Sequence, residues 1–252
     1  MYQIHCDSIS PPQKKNTKIG INYSTYRYKK EIPESECAVV SPMELGGFKS
    51  EGYLAINPQG KVPSLKVQAT GQSIAESDTV CRYLLSTYSH LGPSFQPDNP
   101  LSNEIARFHD MYLTTIQACL YKAGPPFGTF GTRKDALQEY SRQLYLVSKL
   151  MDDTGPYMCG NEVSLADATV FPSIVFATVM FPKFEFGAER QPIPKNIEDW
   201  FQRMIDSDSA FQKVYNEVSG NNATRFCNAS KQCDREILHC AVLCCTSLET
   251  IF

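Results

Sequence analysis

The sequence predicts a chain in two parts: an α/β half over roughly residues 1–90, then an all-helical half over residues 101–218. Three observations carry this reading. Between residues 36 and 90, short apolar runs alternate with turns in the order strand, short helix, turn, hairpin, helix. Residues 89–100 then hold three prolines and a glycine, where a domain boundary is natural. Beyond them, residues 101–122, 133–151, 165–181, 197–205 and 210–218 all read as helices.

The elements of the first half follow in order. Cys37-Ala38-Val39-Val40 is a strand candidate, and residues 49–53 fit a short helix. Asn57-Pro58-Gln59-Gly60 is a turn with two breakers. Residues 64–67 and 73–75 make a hairpin around the Gly71-Gln72 turn. A helix opens at Glu76 and runs to about Tyr88, with Val80, Tyr83, Leu84 and Tyr88 on one buried face. In the second half, the Gly124-Pro125-Pro126-Phe127-Gly128 stretch must be a loop. Residues 165–181 are apolar on nearly all sides, which marks a buried helix. Gly160 to Asp167 precedes it; Ser164 and Asp167 form a capping box whose side chains satisfy each other's backbone N–H. Their expected role is structural.

Composition bounds the function. A net charge of −3 gives no broad basic field, so nucleic-acid binding is not expected. No apolar run reaches the roughly 18 residues of a membrane span, and residues 1–10 carry no secretory signature. A cytoplasmic location, or an organelle stroma, is the expectation. Five of the ten cysteines lie within the last 26 residues, and the rest have no metal-like spacing, so free thiols are expected and no metal. His109-Asp110 is a tempting pair, but helical neighbours point about 100° apart and should not face each other. Tyr112, Thr115, Phe127 and Phe130 are candidates to line an apolar pocket.

Gly60-Lys61-Val62-Pro63 and Glu76-Ser77 carry the chemistry. With a cis Val62–Pro63 bond, Val62 can turn its N–H and C=O outward to pair with an extended peptide. Glu76-Ser77 at a helix N-terminus offers N–H groups, the helix dipole and a hydroxyl to a carboxylate, while Glu76 can receive an ammonium. These parts would together grip a peptide with a free amine and a free carboxylate.

The run Gly60-Lys61-Val62-Pro63, a hairpin, and then Ala75-Glu76-Ser77-Asp78 resembles the glutathione-binding half of the glutathione S-transferase superfamily. Gly160 to Asp167 resembles the capping element of that superfamily's helical half. The resemblance implies a thioredoxin-like domain over residues 1–90, a linker at 91–100, and a helical domain over 101–218. It implies that Val62, before Pro63, pairs with the cysteinyl backbone of glutathione, that Glu76 and Ser77 hold the γ-glutamyl end, and that Lys61 reaches the glycyl carboxylate. A homodimer with Asp78 near its interface is implied, as is a detoxification-type transferase joining glutathione to small electrophiles.

The family's thiol chemistry sits just after the first strand, and here that region is atypical. Residues 1–5 fit a strand and residues 28–33 resemble the end of the first helix, but Pro11, Pro12, Asn16, Gly20 and Asn22 make the stretch between a poor helix. Ser8 and Ser10 are the candidates to stabilise a glutathione thiolate, and Cys6 is the candidate for redox chemistry, though it lacks a following proline. Three readings stay open: a conjugating enzyme, a glutathione-binding scaffold without catalysis, and a Cys6-dependent thiol transferase or dehydroascorbate-type reductase. Residues 219–252 read as an appendage, with Ser219-Gly220-Asn221-Asn222 as a helix stop.

Overall fold

A computed structural model describes residues 3–6, 21–33, 38–40, 42–67, 69–120, 128–152, 154–183 and 193–229. The chain separates into two compact units, Met1–Pro93 and Ser94–Phe252.

In the first unit, β1 (Gln3–Cys6), β2 (Ala38–Val40), β3 (Ser64–Val67) and β4 (Ser73–Ala75) form one sheet in the order β2-β1-β3-β4. β1 is antiparallel to β2 and parallel to β3, while β3 and β4 form the hairpin. Three helices accompany the sheet: α1 (Ile21–Lys30), α2 (Glu51–Leu54) and α3 (Ser77–Thr87). The breakers before Gly20 do not prevent α1, because the helix starts beyond them and retains only Asn22. The core gathers Leu65 and Val67 of β3, Ile74 of β4, Val80, Leu84 and Tyr88 along one face of α3, and Ile32, with Tyr83 partly covered beside them. That face follows the three-to-four-residue spacing of the sequence.

α1 packs on α3 and is tied to the end of α3 by a charge. Lys30 is buried, and its ammonium donates to the carbonyls of Tyr88 (3.1 Å) and Leu91 (2.8 Å). These carbonyls lie just past α3, at the negative end of the helix dipole. Burial lowers the Lys30 pKa. Gly92 is required nearby: its φ is +50°, and a Cβ there would meet the Lys29 carbonyl oxygen at 2.4 Å.

The second unit is helical: α4 (Pro100–Phe108), α5 (Thr114–Leu120), α6 (Arg133–Leu150), α7 (Leu165–Met180), α8 (Lys195–Ser207) and α9 (Ser209–Ala229). The long segment expected over 101–122 is divided by a π-helical turn, His109–Leu113. This turn corrects the expectation that His109 and Asp110 do not face each other, since Nδ1 of His109 lies 3.0 Å from Oδ1 of Asp110. A π turn alters the 100° spacing that the expectation assumed. On its other side, the buried His109 ring contacts the Ser173 hydroxyl of α7 at 2.6 Å. Gln117 joins the same network, donating to the Tyr140 hydroxyl (3.0 Å) and the Ser173 carbonyl (3.2 Å). His109, Gln117, Tyr140 and Ser173 are all buried inside the unit, which makes this a polar pin between α4–α5, α6 and α7.

α7 is the centre of the second unit. Phe171 on it meets Trp200, Phe201 and Phe211, at ring separations of 6.1, 5.1 and 4.7 Å. Ser164 and Asp167 form a reciprocal capping box at its start. α9 corrects a second expectation, because it runs on to Ala229 through Ser219-Gly220-Asn221-Asn222 instead of stopping there. Gly and Asn cost a helix interior at most about 1 kcal/mol each, so they need not end it. Ser219 bonds its own helix, donating to the Tyr215 carbonyl at 2.6 Å. Among the described residues, no helix is long and apolar enough to cross a membrane.

Candidate functional site

The candidate site sits at one end of the β3–β4 hairpin. Ser64 pairs with Ala75, so the residues just before Ser64 and just after Ala75 leave the sheet side by side. The first pair is Val62-Pro63, and the bond between them is cis. Among the described residues, none hydrogen-bonds the Val62 backbone. The second pair is Glu76-Ser77, which opens α3: Glu76 is the N-cap and Ser77 the first helical residue. The Glu76 carbonyl accepts the Val80 N–H at 2.9 Å, starting the helix.

Glu76 departs from ordinary backbone geometry, with φ +70° and ψ 126° and no side-chain cap hydrogen bond. A non-glycine residue with positive φ is uncommon and costs free energy unless its surroundings impose it. Both Glu76 and Ser77 are partly exposed, and neither side chain is bonded to a described residue. Asp78, next along, is engaged with Arg82 at 2.8 Å, one turn later. A helix N-terminus presents unpaired N–H groups and partial positive charge, and here a hydroxyl stands at its first position and a carboxylate at its cap. This is a place for a group carrying both a carboxylate and an ammonium.

The loop before Val62 is tightly built. Gly60 has φ +63°, and a Cβ there would lie 2.7 Å from the Phe48 carbonyl oxygen. Sequence reasoning missed two residues, Tyr53 and Asn57. Both are buried, and both donate to the Lys61 carbonyl. The available signal was their spacing of four, one helical turn, just ahead of the Pro58-Gln59-Gly60 turn. Burial raises the Tyr53 pKa, opposed in part by a hydrogen bond with Ser64, so its hydroxyl stays a donor.

The candidates for thiol chemistry fare differently. Ser8 and Ser10 lie outside the described residues. Cys6 ends β1, and the parallel register sets it beside Val67, whereas Ser64 lies beside Gln3. The Val62-Pro63 end of β3 and the Cys6 end of β1 are therefore at opposite ends of the sheet, on the order of 10 Å apart along the strands. Strand direction is not legible in residue spacing, and it does not bring Cys6 to Glu76 and Ser77.

Ser164 and Asp167 lie in the second unit, with every partner inside it. The Asp167 carboxylate accepts from Ser164 N (2.9 Å), Ser164 Oγ (2.6 Å), Met158 N (2.9 Å) and Trp200 Nε1 (2.8 Å). Burial raises its pKa, and these donors oppose that only in part. A carboxylate so fully engaged has no free lone pair to offer a substrate. Of the pocket candidates, Tyr112 is exposed and packs on Phe108 at 4.8 Å, Thr115 bonds its own helix, Phe130 is partly exposed, and Phe127 lies outside the described residues. Among the described residues, no group of acidic, His and Cys side chains could hold a metal.

Comparison with known proteins identifies the family of both halves. Residues 25–94 match the glutathione S-transferase N-terminal domain, and residues 110–208 match the glutathione S-transferase C-terminal domain. The first match begins within α1, so the segment holding Cys6, Ser8 and Ser10 falls outside it. A glutathione S-transferase-like protein, tpcF, of Aspergillus fumigatus is 25% identical over 183 residues, 66% of this chain and 79% of its own length. Glutathione S-transferase A of Pleuronectes platessa is 27% identical over 161 residues, 60% of this chain and 68% of its own. Among solved structures, a delta-class glutathione transferase of Nilaparvata lugens shares the fold with a TM-score of 0.63 at 17% identity, covering 90% of this chain and 99% of its own. The two matched domains together span more than half of the sequence, in the order and at the places where the hairpin site and the capped helix lie. The chain belongs to the glutathione S-transferase superfamily.

Proposed function

We propose that this protein binds glutathione at the end of the β3–β4 hairpin and transfers it to small electrophiles. The observation that carries the reading is the Ser64–Ala75 pairing, which sets Val62-Pro63 beside Glu76-Ser77. In this reading, the γ-glutamyl carboxylate lies on the first turn of α3 and accepts from the Ser77 hydroxyl, and the ammonium meets Glu76. The cysteinyl backbone runs antiparallel to Val62 and exchanges hydrogen bonds with it. Lys61 reaches the glycyl carboxylate. The glutathione thiol then gives its proton to solvent, and its sulfur forms the new bond to an electrophilic carbon, either as the bond to a leaving group breaks and that group departs with the electron pair, or by adding to an activated alkene whose neighbouring carbon then takes a proton from solvent.

The test is binding first. Titration calorimetry with reduced glutathione is expected to show one site, and Ser77→Ala is expected to weaken it by roughly 10-fold or more, the cost of a hydrogen bond to a charged group. No heat of binding at millimolar glutathione would end the proposal.

A second reading, a glutathione-binding scaffold without turnover, is favoured by a separate observation. The matched N-terminal domain starts at residue 25, and Cys6 sits at the far end of the sheet from Pro63. A panel of electrophiles separates the two. Turnover that vanishes in a Ser8→Ala/Ser10→Ala double variant supports the enzyme; glutathione binding with no turnover supports the scaffold.

A further inference from the structure

Two buried side chains converge on one carbonyl of the candidate site. The Tyr53 hydroxyl donates to the Lys61 carbonyl oxygen at 2.5 Å, and the Asn57 amide donates to the same oxygen at 2.7 Å. The Ser64 hydroxyl stands at the outer limit of bonding distance from it, at 3.5 Å. A carbonyl oxygen has two lone pairs, and these two donors fill both.

The donors are themselves held. Ser50 caps α2 and accepts the Tyr53 N–H at 3.1 Å, while the Phe48 ring stands edge-on to the Tyr53 ring at 5.9 Å. Asn57 is fixed from both ends: its N–H donates to the Tyr53 carbonyl at 2.9 Å, and its side-chain oxygen accepts the Gln59 N–H at 3.1 Å. Nothing in the turn itself needs two buried donors on Lys61, since Gly60 N–H already closes it on the Asn57 carbonyl at 2.9 Å.

The consequence passes through the next peptide. The Lys61–Val62 bond is not among the cis bonds, and in a trans peptide the C=O and the following N–H point in opposite directions within one plane. Fixing the Lys61 oxygen on Tyr53 and Asn57 therefore directs the Val62 N–H away from α2. That N–H has no partner among the described residues. We propose that Tyr53 and Asn57 are positioning residues that aim the Val62 N–H at the peptide backbone of glutathione. The proposal rests on the glutathione reading above. Neither residue touches the ligand in it; each acts through the Lys61–Val62 plane, so that its orientation is set before binding.

The test uses the full chain with valine labelled in its amide nitrogen. Wild type is expected to show a glutathione-dependent shift of the Val62 amide signal. Tyr53→Phe and Asn57→Ala are each expected to weaken glutathione by roughly 3- to 10-fold, as for the loss of one neutral hydrogen bond. The Val62 shift at saturation should shrink in each variant, and the Tyr53→Phe melting temperature should stay within about 4 °C of wild type. A purely structural role would lower the melting temperature and leave the Val62 shift at saturation unchanged, which overturns the proposal. Affinity within twofold of wild type in both variants also overturns it. If Asn57→Ala does not fold, Tyr53→Phe decides alone, because it keeps the ring and removes only the hydroxyl. Wild type that fails to bind glutathione sinks the functional reading itself, a result distinct from either of these.

Discussion

The indole N–H of Trp200 donates to the Asp167 carboxylate at 2.8 Å, joining α8 to the start of α7. The same carboxylate accepts from Met158 and from both donors of Ser164. One buried group thus gathers a loop, a helix start and a second helix. Asp167→Ala would leave several buried donors without partners, at about 1–3 kcal/mol for each left unsatisfied. We predict a loss of about 3 kcal/mol or more. That corresponds to a fall of roughly 6–12 °C in melting temperature for a chain of this size. A shift under about 2 °C would show that other contacts hold α7 in place.

The Asp167 role was open to sequence reasoning because a capping box is a local pattern: Ser, two residues, then an acid, ahead of an apolar run. The hairpin and the Glu76-Ser77 start of α3 were readable for the same reason, since turn residues and apolar spacing mark them locally. The Trp200 bond was not readable, because it joins residues 33 positions apart. Tyr53 and Asn57 were missed because their shared acceptor is a backbone carbonyl, which has no signature in residue identity. The direction of β1, which decides where Cys6 lies, depends on pairing with β2 and β3 and so on the whole sheet.

Lys30 offers a different test, of a charge used as a helix cap. Its ammonium supplies the Tyr88 and Leu91 carbonyls beyond α3. Lys30→Met keeps most of the buried stem and removes the donors. Losing the buried charge relieves a desolvation cost, but the Leu91 carbonyl then lacks a partner and the Tyr88 carbonyl keeps only the Leu91 N–H, and we expect the second effect to win by about 1–3 kcal/mol. Hydrogen exchange should report faster opening at the end of α3 than at its start. Unchanged melting temperature and exchange would mean that solvent replaces the lysine at no cost.

Cys159 should be a slow thiol. Burial raises its pKa to about 11, a hydrogen bond with Ser164 opposes the shift, and the charges of Asp167 and Asp152 add to it. Since the thiolate is the nucleophile, alkylation at pH 8 should leave Cys159 largely unmodified in the folded protein and modify it readily in denaturant. The sign of the pH dependence follows from the raised value. The folded state holds the proton more tightly than the unfolded one, so this contribution is intact below about pH 9 and is lost as pH rises to about 11. Cys159→Ala should therefore gain on the parent in melting temperature across that window. Parallel curves for the two proteins would refute the shift.

The last prediction concerns the end of the chain. α9 continues to Ala229, and Ala210, Phe211, Val214 and Val218 along its first half are buried. They follow helical spacing and meet α7 and α8, where Phe211 packs on Phe171. Stability in a helix comes mainly from such a packed face rather than from added turns. Gly220, Asn221 and Asn222 are also poor helix formers, so the turns they begin contribute little intrinsic stability. Cutting after Gly220 should leave the packed half intact and change stability by within about 0.5 kcal/mol. Glutathione affinity should be unchanged, because Val62, Glu76 and Ser77 belong to the other unit. A fall of more than about 5 °C in melting temperature, equivalent to roughly 1–2 kcal/mol, would show that residues 221–252 pack onto the helical unit and that the end of the chain is part of its core.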